Sequence, residues 1–189
     1  MKQEIRNGVN VTDLKTAIEA VSTDPTNGRL TFSVSSTWTG GFTCKHTPGT
    51  YTVGTDTGKH KKAHTIKSDE PREVLGTDTG ISPAEMILGA LAACLTVGYA
   101  ANAAVQNIDI DALKFEITTN GNLEGFFGVG DTRPGLSDIH VKTHIKSAAT
   151  TEQLQRLHDD VNRRSPIWDT LRNSVNITST MVTGMKGTA

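Results

Sequence analysis

The sequence predicts an α+β fold, an antiparallel sheet packed on helices with one long buried helix at its centre. Three observations carry this. Apolar–polar alternation recurs at 30–38, 113–118 and 139–146, the period of a half-buried strand. Helical spacing of apolar residues occupies 83–105 and 151–163. The order strands, helix, strands, helix, strand groups strands with strands, as α+β folds do.

In chain order, Val11, Leu14, Ala17, Ile18 and Val21 lie at helical spacing. Asn10 or Thr12 can cap that helix, and Asp24-Pro25 through Gly28 ends it. Residues 1–28 form a helical extension to a main domain over 29–189. Leu30, Phe32, Val34 and Trp38 then alternate with Thr31, Ser33, Ser35 and Thr37. Gly40-Gly41 and Pro48-Gly49 predict turns, with short extended pieces at 51–53 and 63–66 and a loop over 68–79. Further on, Leu113, Phe115 and Ile117 share one face of a strand, and Ile139, Val141, Thr143 and Ile145 share another. The glycine-rich 120–137 between them is a loop. Leu154, Leu157 and Val161 line one side of a helix that stops near Ser165, because the residue before Pro166 is pushed out of the α region. Ser165 can cap a new helix through Leu171, with Pro166 at its first position. Val175, Ile177 and Met181 predict a closing strand.

Charge is nearly balanced, 19 basic against 20 acidic residues with no like-charged block. Nucleic acid and anionic lipid need a basic footprint and are excluded as partners. The polar start MKQEIRNGVN has no apolar signal core, and two cysteines without an export signal fit a reducing, cytoplasmic setting.

Residues 86–108 contain no Asp, Glu, Lys or Arg. Ser82, Pro83 and Glu85 form a start signal: Ser82 caps, Pro83 fits the first position, and Glu85 reaches back as a capping box. Ile87, Leu91, Cys94 and Gly98 share a face. The run is long enough to span a bilayer, but it is rich in Ala and Gly, is interrupted by Asn102 and Gln106, and lacks basic flanks on the near side. It is expected to be a core helix covered on all sides, no membrane being involved, with small residues that admit a second subunit.

The stretch SPAEMILGALAACLT, with a cysteine eleven residues after the proline, resembles the osmotically inducible protein C (OsmC) family and its organic hydroperoxide resistance branch. TWTGG at 37–41 and SPIWDTLRNSVNI at 165–177 occur in the family's order, and the likeness covers about 30–182. The resemblance implies an intertwined α+β homodimer whose central helix carries a peroxidatic cysteine at the position of Cys94. It also implies a resolving cysteine in a Cys-Pro pair, and a glutamate and an arginine that poise the thiolate. A thiolate that attacks a peroxide becomes a sulfenic acid and is recycled through a disulfide. Here the resolving position holds Ser165, the glutamate position Ala84, and the arginine position Phe42. Glu85 is one residue, about 100° of helix, further round.

Each candidate also has a plainer explanation. Cys94 on a small-residue helix can be an inert core residue. Cys44, two residues beyond Phe42, is an alternative resolver if it approaches Cys94. Glu85 serves as a cap whether or not it serves catalysis. Lys45 and His46 can supply positive charge to a thiolate or be turn residues. His60 and His64 in HKKAH lack a third ligand, so no metal is expected. His140 and His144 lie on a polar strand face. Trp38 and Trp168 are core residues or pocket walls. No cofactor is implied.

Two functions follow. The first is reduction of organic or hydrogen peroxides through Cys94 in stress defence, with an external thiol or dithiol, or Cys44, resolving the sulfenic acid. The second is a non-enzymatic homodimer that holds a small apolar ligand in an interface pocket lined by Phe42, Trp38 and Trp168.

Overall fold

The computed structural model describes residues 4–184. It begins with a hairpin, β1 (Ile5–Arg6) and β2 (Val9–Asn10), around Asn7 and Gly8. Both turn residues have positive φ, 51° and 77°. An Asn-Gly pair is the strongest short hairpin signal, and the periodicity of the segment passes over it. Asn10, not Thr12, caps α1 (Val11–Thr23), accepting from the amides of Thr12 and Asp13. A 3-10 turn at Pro25–Gly28 follows. The segment is tied to the rest of the chain by Asn7, whose side chain donates to the Ile108 carbonyl and accepts from the Ile110 amide.

β3 (Leu30–Gly40) and β4 (Thr43–Val53) form a long antiparallel hairpin, extended by β5 (Asp56–Lys59) and β6 (Ile66–Ser68), both on β4. Two expectations are corrected here. Pro48-Gly49 is not a turn but part of β4, where Gly49 and Thr50 face the single residue Ser33 in a bulge. A Cβ on Gly49 would stand 2.5 Å from the Ser33 hydroxyl, so glycine is what the bulge admits. Pro48 falls in the gap between the pairings of β4 with β6 and with β5, where a strand tolerates a missing N–H. The extended piece expected at 63–66 begins only at Ile66.

A strap leads from β6 to the long helix α2 (Pro83–Val105). It contains a 3-10 turn, Arg72–Val74, and is organised on Asp69, which is 1% exposed. Its carboxylate accepts from the amides of Glu70, Thr77 and Thr79 and from both threonine hydroxyls. Those hydrogen bonds, Thr77's hydroxyl foremost, hold Asp69 far below the ordinary carboxylate range despite its burial. Gly76 passes so close to the Glu70 carbonyl that a Cβ there would lie 1.7 Å from it. A folded-state pKa below the unfolded one gives stability that is present above the unfolded value and lost as pH falls through the folded one. Asp69→Asn is therefore expected to lower the melting temperature at neutral pH. The gap to wild type should close as the pH drops below about 4, as thermal melts across a pH series would record.

Beyond α2 come β7 (Ala112–Thr119), a short α3 (Leu123–Phe127), β8 (Ile139–Lys146), α4 (Thr151–Arg164) and α5 (Pro166–Arg172). β7 and β8 pair antiparallel in full register, Leu113 opposite Ile145 and Ile117 opposite Val141. The apolar face of this sheet packs on Leu91, Leu95, Tyr99, Ala103, Leu157 and Val161, all buried, which form the core. α3 lies inside the stretch expected to be a loop. Asn122 caps it and Gly128, at positive φ, ends it.

Three further expectations meet the structure differently. The strand predicted at 175–181 has no regular structure, and Ile177 and Met181 are 84% and 86% exposed. The apolar side of β3 is also uncovered within one chain, with Phe32 and Trp38 more than 70% exposed. α2 is not covered on all sides. Its stripe Leu91, Leu95, Tyr99 and Ala103 is buried, whereas Val97 is 69% exposed. Among the described residues, α4, α5 and β7 pack along α2, with α1 and β2 also in contact, and Val97 is left uncovered. By length and composition alone α2 could cross a membrane.

Candidate functional site

The start of α2 is fixed by the capping box its sequence predicts. The Glu85 amide donates to the Ser82 hydroxyl at 3.1 Å, and the Ser82 amide donates to the Glu85 carboxylate at 2.7 Å. Glu85 thus spends its carboxylate on the helix end. Nearby Glu70 is pushed above its usual range by burial, and further by the Glu85 and Asp69 carboxylates. Ala84, half-buried in the first turn, carries no functional group.

Cys94 lies near the middle of α2 and is a half-buried free thiol. Gly98 sets how closely the next helix can approach, because a Cβ there would stand 2.9 Å from Val161 of α4. That approach carries the end of α4, and with it Ser165, onto the cysteine. Ser165 closes α4 and caps α5, in an extended conformation with φ −74° and ψ 116°. It is 5% exposed. Its hydroxyl accepts from the Trp168 amide at 3.3 Å and donates to the Cys94 sulfur at 3.2 Å. The structure thus brings Cys94 and Ser165 into contact.

Other candidates are placed elsewhere. Cys44 is a half-buried free thiol on β4, opposite Trp38 on one side and Ser68 on the other. Among the described residues its sulfur reaches the Lys45 carbonyl, at 4.0 Å. Lys45 is exposed. His46 has both ring nitrogens 2.8 Å from serine hydroxyls, Nδ1 from Ser36 and Nε2 from Ser68. Phe42 stands half exposed at the tip of the β3–β4 hairpin, and the Trp38 indole donates to the Gly41 carbonyl. The His60 and His64 rings meet edge to face, 5.1 Å apart, and no cluster of three metal-binding side chains occurs among the described residues. His144 reaches the Glu116 carboxylate, 3.1 Å away, on the solvent side of the β7–β8 sheet.

Trp168 links the Cys94–Ser165 contact to a cleft of about 430 Å³. Ile87 and Leu91, on the same face of α2 as Cys94, form its floor with Ile139, Val141, Trp168 and Leu171. Arg133, Ser137, Asp138 and Arg172 also line it. No residue pattern marks these arginines, since they lie 39 positions apart in a loop and at a helix end. The part of the cleft the sequence does signal is Ile87 and Leu91, on the helix face that also carries Cys94.

The sequence of residues 76–180 matches the model of a family described as OsmC-like protein. That span includes Cys94 and Ser165 and excludes the hairpin with Trp38, Phe42 and Cys44. No curated protein sequence matches. Among solved structures, an OsmC-like protein from Mycoplasma pneumoniae superposes with a TM-score of 0.58 at 20% identity, over 76% of this chain and 89% of that one. An organic hydroperoxide resistance protein OsmC from Legionella pneumophila superposes with a TM-score of 0.54 at 16% identity, over 77% of this chain and 92% of that one. Identities this low establish a shared fold.

Proposed function

The chain belongs to the OsmC-like protein family, and from that premise we propose that it reduces organic or hydrogen peroxides through Cys94 at the expense of external thiols. The observation that carries this is the contact between Cys94 and Ser165. It sets a thiol against a hydrogen-bond donor, and that donor accepts from the amide of Trp168, which lines the neighbouring cleft. In the first step the Cys94 thiolate attacks the terminal peroxide oxygen. The O–O bond breaks, sulfur gains that oxygen as a sulfenic acid, and the departing alkoxide takes a proton to become the alcohol. A first external thiol then displaces hydroxide as water to form a mixed disulfide. A second thiol releases Cys94 and leaves as the oxidised disulfide. No metal or cofactor enters the cycle.

The test is peroxide consumption in the presence of a dithiol. Wild type is expected to turn over, and Cys94→Ser to fall to the background rate. Equal rates in the two would end the peroxidase reading. A second reading is favoured by the cleft itself, whose floor of Ile87, Leu91, Ile139, Val141, Trp168 and Leu171 suits a small apolar ligand without any reaction at sulfur. An apolar ligand that binds both proteins alike, with no peroxide consumed by either, would support that one.

The assembly in this proposal is a cytoplasmic homodimer. The open flank of α2, the outward row of β3 and the apolar residues of 175–182 together form more uncovered apolar surface than a monomer ordinarily shows. A second copy of the chain would cover all three and would account for α2 without a membrane. Sedimentation without detergent should give twice the 20.2 kDa chain mass. A monomer, or a protein that needs detergent, would contradict it.

A further inference from the structure

Ser165 occupies the place opposite Cys94, and its hydroxyl is held in place as the cap of α5. The Trp168 amide donates to its oxygen, which fixes the side-chain rotamer and leaves the hydroxyl proton free to point at the Cys94 sulfur. Pro166 at the first position of α5 keeps the Ser165 backbone extended, so the aim does not depend on a flexible turn. At 5% exposure the hydroxyl has little water to compete for that proton. Among the described residues, the hydrogen bond that reaches the Cys94 sulfur comes from Ser165. The capping box occupies Glu85, and Cys44 and His46 are engaged on β4.

Resting on the peroxidase reading, we propose that Ser165 is a catalytic residue of this reaction, the donor to the anionic sulfur before attack and to the sulfenic acid after it. A thiolate can only accept hydrogen bonds, and a donor held at 3.2 Å replaces the water it gives up on this half-buried face. When the sulfur has taken the peroxide oxygen, the same hydroxyl can bond to that oxygen. An alcohol does not condense with a sulfenic acid to a stable product as a thiol does. The oxidised state therefore waits at the sulfenic acid until a soluble thiol displaces the hydroxide as water. The residue that positions the sulfur also keeps the cycle open to an external reductant.

The cap and the donor can be separated by substitution. Ser165→Gly removes the hydroxyl yet remains a serviceable helix cap, while Ser165→Thr keeps both. Two rates would be followed across pH in wild type and both variants. One is sulfenic acid formation with one equivalent of an organic hydroperoxide, trapped by a dimedone-type reagent. The other is alkylation of Cys94 in a Cys44→Ser background. Ser165→Gly is expected to slow both at neutral pH by about tenfold, the size of one hydrogen bond to a charged group. Ser165→Thr should track wild type. A folded Ser165→Gly protein that matches wild type in both rates at every pH overturns the inference and leaves the peroxidase reading standing. A wild type that forms no sulfenic acid overturns both.

Discussion

Replacing Ser165 with cysteine is expected to convert Cys94 into one half of an intramolecular disulfide. The serine oxygen already lies 3.2 Å from the Cys94 sulfur, and the longer C–S bond closes part of the remaining distance to a bond of about 2.05 Å. With one equivalent of an organic hydroperoxide, Ser165→Cys should first form the sulfenic acid. The introduced thiol then displaces its hydroxyl as water and leaves an S–S bond. Intact mass would show the loss of two hydrogens where wild type shows the gain of one oxygen, and Cys44 would remain free. Loss of the sulfenic acid without added thiol should accelerate by roughly 10³-fold, as intramolecular delivery of a well-placed nucleophile does. If the variant instead accumulates the oxygen adduct, the 3.2 Å contact does not describe the working site.

The other large effect is expected at the two native cysteines. Cys94→Ser should abolish thiol-dependent peroxide consumption, because a serine hydroxyl is not ionised at neutral pH and has no accessible higher oxidation state at oxygen. Cys44→Ser should consume peroxide at the wild-type rate, because Cys44 lies on β4 between Trp38 and Ser68 and, among the described residues, its sulfur reaches the Lys45 carbonyl. Stability should barely separate them. Both thiols are half-buried, and the sulfur-to-oxygen change is small in volume. A Cys44→Ser protein that stalls after one turnover would make Cys44 the resolver and move the external thiol's task from the sulfenic acid to reduction of a Cys44–Cys94 disulfide.

Features written in adjacent residues were legible in the sequence. Ser82, Pro83 and Glu85 specify the start of α2, and Ser165-Pro166 specifies the break between α4 and α5, because caps and proline sterics act within one turn. The alternation of β7 and β8 was equally plain, since both strands bury one face on α2 and α4. Turn chemistry was less so. Pro48-Gly49 has the composition of a turn, yet it sits in a bulge whose existence depends on Ser33, a residue from the opposite strand. Asn7-Gly8 was a readable signal for a hairpin that its two-residue strands hid from any test of period. Periodicity says that a face will be covered, and not by what. β3, the far side of α2 and 175–181 all carry apolar residues that stay exposed among the described residues.

The site divides in the same way. Cys94 and Ser165 could be named from a resemblance, but their contact depends on Gly98 admitting α4 against α2, a tertiary fact. Arg133 and Arg172, 39 positions apart in the sequence, line one cleft only in the folded chain. Trp38 and Phe42, grouped with Trp168 by residue type, stand on a different sheet from the cleft that Trp168 lines.

The central claim is that Cys94 is a peroxide-reducing thiol whose oxidised form is a sulfenic acid held against Ser165. Intact-mass and peptide mapping of wild type after one equivalent of an organic hydroperoxide, without added thiol, tests it most directly. The account predicts the gain of one oxygen, located on Cys94, with Cys44 still a free thiol. An unchanged mass, or an oxygen found on Cys44 instead, would contradict it.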